Sequence, residues 1–538
     1  MSNSVSVSRQ DRARSQRILC LWLPHLLTDR IARWREVERE ALGRESTEQA
    51  PHAVFAKYDN ADRLIAVDAA AEALGLAPGL ALAEARAMYP HLDAIPEDPA
   101  ADARLLAAIA DWCQRYTPLT VEKSPDDILL DISGCAHLFG GEAALRDDLI
   151  MRLRRHGFTV QAAVAGTIGA AWAAAHYSDA TQIESGDERA LLAPLPLAAL
   201  RLPGETVSVL ARLGLKRIGD IIDIPRAPLA ARFGHQLLQQ RDRALGRESE
   251  PLTPRFPIPP YYADQPFAEP IAREEDVRAI IEKLARRLAV MLERRGEGIR
   301  RVELSLFRTD GAVRRIAAGT SRPIRDPGAV KALFVERIAA LGDTLDPGFG
   351  FDLARLSVQA ADPLAPAQIA FGGDTREAAV DGLVDRLAAR LGSRRVGRLV
   401  AQDTHSPELA SLIAPAQSHR AIEDAEWAAF RAFLERADLA PRPLRLLAQP
   451  EPIAVTPTVI DTHPKKFRWR RAWHEVVAAD GPERIEAMWW MTADDAPTRD
   501  YFRVQDDAGL RFWLFRSKLW NEEEEQFKLS WFMHGLFA

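Results

Sequence analysis

The chain has 538 residues, 47% of them hydrophobic and 27% charged, with a formal net charge of −6. The composition excludes wholesale disorder, and the length exceeds one ordinary domain, so three to four domains are expected. The net acidity argues against a dedicated nucleic-acid-wrapping protein, which is usually basic overall.

In chain order, residues 1–17 read as a flexible basic tail carrying Arg9, Arg12, Arg14 and Arg17. The apolar run Ile18–Leu23 is too short for a signal-peptide core or a membrane span, so a soluble, cytoplasmic protein is expected. It reads instead as a buried strand ended by Pro24. Cys20, Cys113 and Cys135 have neither CxxC spacing nor a companion His cluster, which points away from a disulfide framework or zinc site. Ile128–Ile132 is a second strand, and Thr159–Ala165 a third that leads into an Ala-rich helix through Trp172. Strands and helices alternate over this stretch as in an α/β or α+β unit. Residues 191–250 are helical, with turns at Leu202-Pro203-Gly204 and Leu213-Gly214-Leu215. A linker at 251–264 is marked by Pro251, Pro254, Pro257, Pro259 and Pro260.

From 265 to 361 the periodicity predicts β-α-β-β-α-β. Val277, Ile280, Ile281, Leu284, Leu288 and Met291 follow helical spacing. Val302, Leu304 and Leu306 alternate as a strand, and a turn at Asp310-Gly311 closes a hairpin. Between Arg273 and Lys331 there are 15 Lys/Arg against 9 Asp/Glu, a local surplus of +6 that suits a solvated helix face or a phosphate-facing surface. Residues 362–400 comprise a flexible join and a helix at about Glu377–Leu391. Residues 401–538 form a separate region in which seven of the twelve tryptophans lie between Trp469 and Trp531. The run Glu522–Glu525 reads as a solvated loop.

This order resembles the Y-family (translesion) DNA polymerases over roughly residues 18–360. The resemblance implies a multidomain α+β fold: palm over residues 18–190 with fingers inserted at about 31–95, helical thumb with a helix-hairpin-helix, βαββαβ little finger, and here a small aromatic-rich C-terminal domain. Two-Mg²⁺ nucleotidyl transfer needs hard oxygen ligands on adjacent strands. In Ile18–Pro24, Trp22 stands where the first metal-binding Asp belongs and Pro24 where its neighbour belongs. Ser124-Pro125-Asp126-Asp127-Ile128-Leu129-Leu130-Asp131 resembles the second acidic motif, with Asp126 and Asp127 at the acidic positions; a polar turn before a strand is the plainer reading. In Asp68–Leu76, Ala69 and Glu72 occupy the positions of the Tyr and Arg that serve the triphosphate, and Trp172 falls at the palm lysine. The expectation is a catalytically inactive relative with no metal and no cofactor.

The binding elements look better kept. Gly204, Gly214, Lys216, Arg217 and Gly219 resemble the helix-hairpin-helix, where hairpin amides approach a phosphate. Arg300, Arg301, Arg314 and Arg315 are the little-finger cations expected at DNA. Gln368, Ile369 and Phe371 resemble a sliding-clamp peptide, with Gly372 in place of the closing aromatic. Arg499–Val504, Phe512–Arg516 and Trp531–Ala538 are similar to the tail of an inactive branch of the family. That marks Tyr501, Phe502, Trp513, Phe515, Trp531 and Phe532 as candidate partner-docking residues. Lys465–Trp473 interleaves cations with aromatics, which suits stacking on single-stranded bases, a small β-rich core or a protein-binding surface.

What the resemblance implies is a nucleoid-associated adaptor in damage-induced (SOS) mutagenic translesion synthesis. Its expected partners are primer-template DNA, the β sliding clamp, an error-prone replicative-type polymerase α subunit and a RecA-related protein. Two alternatives stay open: an active but divergent polymerase using Asp126, Asp127 and a third ligand, and a DNA-binding regulator on the same fold.

Overall fold

The computed structural model describes residues 16–41, 50–58, 60–364, 375–402, 404–417, 428, 431–432, 441–456, 463–486, 498–521 and 526–537. The basic tail before residue 16, the clamp-like peptide Gln368, Ile369 and Phe371, and the acidic run 522–525 lie outside the described residues. The fold is mixed α+β, and the chain divides into two compact units, Met1–Gly373 and Asp374–Ala538.

The first unit opens with β1 (Ile18–Trp22), followed by α1 (Leu26–Ala41), β2 (His52–Tyr58), β3 (Ala61–Val67), α2 (Ala69–Ala73), α3 (Leu82–Met88), β4 (Asp93–Pro96) and α4 (Pro99–Cys113). It continues with β5 (Thr120–Lys123), β6 (Asp127–Asp131), α5 (Glu142–Arg155), β7 (Gln161–Ala165) and α6 (Ile168–Tyr177). A four-stranded antiparallel sheet runs β5-β6-β1-β7, with Trp22 opposite Asp127 on one side and Gln161 on the other. The strand period of two sorts β1 between two cores. Leu19 and Leu21 join Ile128, Leu130, Leu145 and Leu149 beneath α4 and α5, while Ile18 and Cys20 join Leu129, Ala163, Ala170 and Ala174 beneath α6. All are nearly or fully buried; burying a Leu or Ile side chain is worth about 1.5–3 kcal/mol. The alanines of α6 let its backbone lie close to the sheet, so the larger residues at its far end, Trp172 and His176, meet the end of β1.

A second sheet, β3-β2-β4, belongs to the inserted segment and packs its own core around Ala53, Leu64, Leu76 and Leu82. Helices α7 (Glu188–Leu192), α8 (Gly204–Arg212), α9 (Gly219–Ile222), α10 (Arg226–Phe233) and α11 (His235–Ala244) gather around Leu192, Leu210, Ile218, Ile221 and Leu237.

The βαββαβ order follows with β8 (Tyr261–Ile271), α12 (Glu274–Glu293), β9 (Glu297–Arg308), β10 (Val313–Ile324), α13 (Pro327–Leu341) and β11 (Phe351–Pro363), in a sheet ordered β10-β9-β11-β8. Its first strand begins earlier than its apolar pattern suggested. Tyr261 pairs with Val358 inside the stretch read as linker, because the Pro run ends at Pro260 and β-prone tyrosines follow.

The second unit holds α14 (Thr375–Leu391), a two-stranded pair β12 (Gly397–Ala401) and β13 (Ser411–Pro415), and a closed barrel. The barrel strands are β14 (Arg445–Val455), β15 (Lys466–Trp469), β16 (Ala472–Ile485), β17 (Arg499–Asp506), β18 (Arg511–Asn521) and β19 (Gln526–Leu536), with β14 pairing β19 to close the ring. Among the described residues, closure gives each barrel strand a paired neighbour on both sides.

Candidate functional site

Sequence order places Trp22 at the end of β1 and Asp127 at the start of β6, and the antiparallel register sets them side by side. From the face of α6, residues four apart present Trp172 and His176 to the same point. The imidazole of His176 is stacked between two indoles, 4.1 Å from the Trp22 ring and 4.1 Å from the Trp172 ring. The three rings then satisfy both carboxylates. Trp22 Nε1 donates to Asp126 Oδ2 at 2.9 Å, and Trp172 Nε1 donates to Asp127 Oδ2 at 2.6 Å. His176 Nε2 lies 2.8 Å from Asp127 Oδ1, and the buried Cys20 thiol lies 3.8 Å from the same oxygen.

Electrostatics follow from this enclosure. Burial, with the neighbouring Asp127 charge adding to it, raises the Asp126 pKa even though the Trp22 N–H pulls the other way. Burial also pushes the Cys20 thiol well above its usual range. The residues present do not fit a two-magnesium site. The acidic pair already faces nitrogen donors, Trp22 supplies no ligand, and no group of three or more His, Cys, Asp or Glu able to hold a metal ion occurs among the described residues. His176 was absent from the sequence reading; the signal was its position four residues after Trp172 on one helix.

Nearby, Asp68 caps α2 by accepting from the Ala71 N–H at 2.8 Å, which places Ala69 and Glu72 in the first turn. Glu72 Oε2 lies 3.9 Å from His25 Nε2, directly after Pro24. Pro24 follows Leu23, whose N–H donates to the Asp126 carbonyl and makes the last link between these segments.

The thumb hairpin corrects an expectation. Every backbone N–H from Gly214 to Gly219 has an internal acceptor: Gly214 to Ala211, Leu215 to Leu210, Lys216 and Arg217 to the Asp220 carboxylate at 2.9 and 2.8 Å, Ile218 to Leu195, and Gly219 to Ala193. None of these amides is left for a phosphate. Gly214 has φ +83°, which explains its lack of a side chain, and a Cβ on Gly219 would fall 2.9 Å from the Ala193 carbonyl oxygen. Gly204 begins α8 in open surroundings, and the Lys216 and Arg217 side chains are exposed.

Of the four little-finger cations, Arg301 is exposed, Arg314 is partly buried, and the other two are engaged within the fold. Arg300 pairs with Asp362 at 3.0 Å and donates to the Thr320 carbonyl. Arg315 reaches Asp111 and Gln114 of the α4 end, both at 3.1 Å, and covers the Phe256 ring at 4.5 Å. Here the sequence reading needs correction, because the helix-free face of this sheet rests on the end of α4. Arg355 on the same face forks onto Asp264 and donates to the Gln114 carbonyl at 2.6 Å.

The docking assignment also needs correction. Tyr501, Phe502, Trp513, Phe515 and Trp531 are buried, and Phe532 is partly buried against Phe515 with ring centroids 5.0 Å apart. Phe502, Phe512, Leu514, Trp531 and Met533 form one cluster, and Tyr501, Trp513 and Phe515 a second. Strands buried on both faces read as unbroken apolar runs, which explains the aromatic texture.

Comparison with known proteins then identifies the family. The impB/mucB/samB family model matches residues 36–176. The protein named ImuB from Caulobacter vibrioides is 38% identical over 477 residues, covering 86% of this chain and 100% of its own length. The chain belongs to the ImuB family. DNA polymerase IV of Opitutus terrae is 24% identical over 268 residues, covering 46% of this ImuB-family chain and 67% of its own. The crystal structure of DinB from Sulfolobus solfataricus aligns with 64% of the chain and 98% of its own, at 13% identity and a TM-score of 0.35. This ImuB-family member carries, after its α+β first unit, a second unit built around a closed β barrel. No helix among the described residues is long and apolar enough to cross a membrane.

Proposed function

We propose that this chain is a non-catalytic, polymerase-like adaptor in damage-induced mutagenic translesion synthesis. It holds primer-template DNA, the β sliding clamp, an error-prone replicative-type polymerase α subunit and an ImuA-like RecA-related protein, and works in the cytoplasm at the nucleoid. One observation carries the reading: Asp126 and Asp127 are occupied by Trp22, Trp172 and His176. A carboxylate pair hydrogen-bonded by these side chains keeps the palm folded without the ions that would activate a primer hydroxyl. Glu72 supports it further, since an anion where a triphosphate would sit repels it at short range. Exposed Lys216, Arg217 and Arg301 supply side-chain contacts for the DNA backbone. Clamp contact is assigned to Gln368, Ile369 and Phe371, and partner docking to the outer surface of the second unit.

Primer extension with the full-length protein and Mg²⁺ or Mn²⁺ tests the inactive centre. No nucleotide incorporation is expected from the wild type; incorporation that disappears in Asp126→Ala would overturn the proposal. Clamp pull-down tests the peptide: Gln368→Ala with Phe371→Ala is expected to lose binding, and undiminished capture would remove this peptide as the clamp contact.

A further inference from the structure

We propose that the outer face of the β15–β16 hairpin in the second unit is a stacking platform for single-stranded nucleic acid. This goes beyond the adaptor reading and does not rest on it. Between Lys465 and Glu475 the sequence carries five Lys/Arg and one carboxylate, within a chain whose net charge is −6. The hairpin register converts that run into two faces. Phe467 and His474 are opposite one another and turn inward, their rings stacked 5.0 Å apart against the barrel core. Arg468 and Trp473 are the next opposed pair and turn outward.

Trp473 is 51% exposed, with the Lys466 ammonium 5.8 Å and the Arg468 guanidinium 6.0 Å from its ring centroid. Lys465, Arg468 and Arg471 are exposed, and none of these or Lys466 has an ion pair among the described residues; Arg470 alone is taken, by Glu451 at 2.5 Å. An open indole bordered by uncompensated cations offers a π-face to a base and positive charge to the flanking phosphates. A protein interface core would instead be depleted of lysine.

The turn adds an independent observation. Arg470 and Arg471 form the two-residue connection with φ +45° and +74°, a left-handed pair that Asn-Gly adopts far more readily. Two arginines held there keep cationic side chains at the hairpin tip at the expense of backbone ease, as is common where a site needs particular side chains.

The test uses the full chain and an eight-nucleotide oligo(dT) carrying one 5-iodouracil, with photocrosslinks mapped by peptide mass spectrometry. Crosslinking of the 465–475 peptide at Trp473 is expected. Trp473→Ala should lower its yield about ten-fold, the scale of one base–aromatic stack, while Trp473→Tyr restores it. Arg468→Glu with Arg471→Glu should also reduce the salt dependence, by about 0.7 in log–log slope per lost phosphate contact. Crosslinks to other peptides should persist in every variant, which reports intact folding. A hairpin peptide left unmodified at saturating oligonucleotide, or a yield unchanged in Trp473→Ala, overturns the proposal. So does an outcome in which these variants lose capture of a protein partner while the hairpin crosslink is unaffected.

Discussion

Trp22, Trp172 and His176 act on the acidic pair as a set, each supplying an N–H or stacking surface where the other residues need one. Asp127 is buried, so removing a single donor leaves a carboxylate short of a partner in a place water does not easily reach. Trp172→Phe keeps most of the ring and deletes the N–H; a loss of about 1.5–3 kcal/mol in stability is expected by urea unfolding, the usual value of a hydrogen bond to a charged group. Stability unchanged within error would mean that the contact contributes nothing. In the sequence Trp22 and Trp172 read as departures from a polymerase pattern, and Asp126 and Asp127 as residual acids within it. Their mutual bonding was not legible there, because it depends on the β1–β6 register and the rotation of α6.

At the level of elements, two expectations about DNA-facing surfaces were revised by internal satisfaction of polar groups. The hairpin 214–219 spends its amides on Asp220 and nearby carbonyls, and the amide bonds hold the Asp220 carboxyl below its ordinary value. That contribution is present above the ordinary carboxylate pKa and lost as pH falls through the lowered one. Asp220→Ala should therefore weaken the thumb without weakening DNA binding, since it removes an anion beside Lys216 and Arg217; anisotropy with a primer-template that shows lost affinity would refute this. Arg355 is the stronger structural element contact. Nearly buried, it joins the partly exposed Asp264 to the end of α4, so Arg355→Ala is expected to cost about 1–3 kcal/mol, the range for hydrogen bonds lost around a charged group. Faster hydrogen exchange in residues 111–116 is the accompanying readout.

On the scale of the whole molecule, the two units have separate cores and separate sensitivities. In the barrel, His534 is fully buried, with Nδ1 2.8 Å from the Tyr501 hydroxyl and its ring stacked on Trp513. Burial, aided by Arg499 and opposed by Glu408, lowers its pKa. The unfolded chain then binds the proton more readily, so this contribution is complete above the ordinary imidazole pKa of about 6.5 and is lost as pH falls through the folded value. Hydrogen exchange corrected for intrinsic rate should show β19 less protected at pH 5.5 than at pH 7.5. The palm strand β1 serves as the internal reference, and equal protection of β19 at both values would exclude the effect.

The sequence by itself determined the βαββαβ order and the helical segment before the Pro run, because these depend on local periodicity. Tertiary structure decided which polar groups are already paired and which aromatic runs are interior. Phe502, Phe512 and Trp531 became a core when six strands closed into a barrel, and Arg315 became an internal tie when its sheet met α4. Exposure and hydrogen-bond occupancy arise from contacts between distant segments, so no local pattern encodes them.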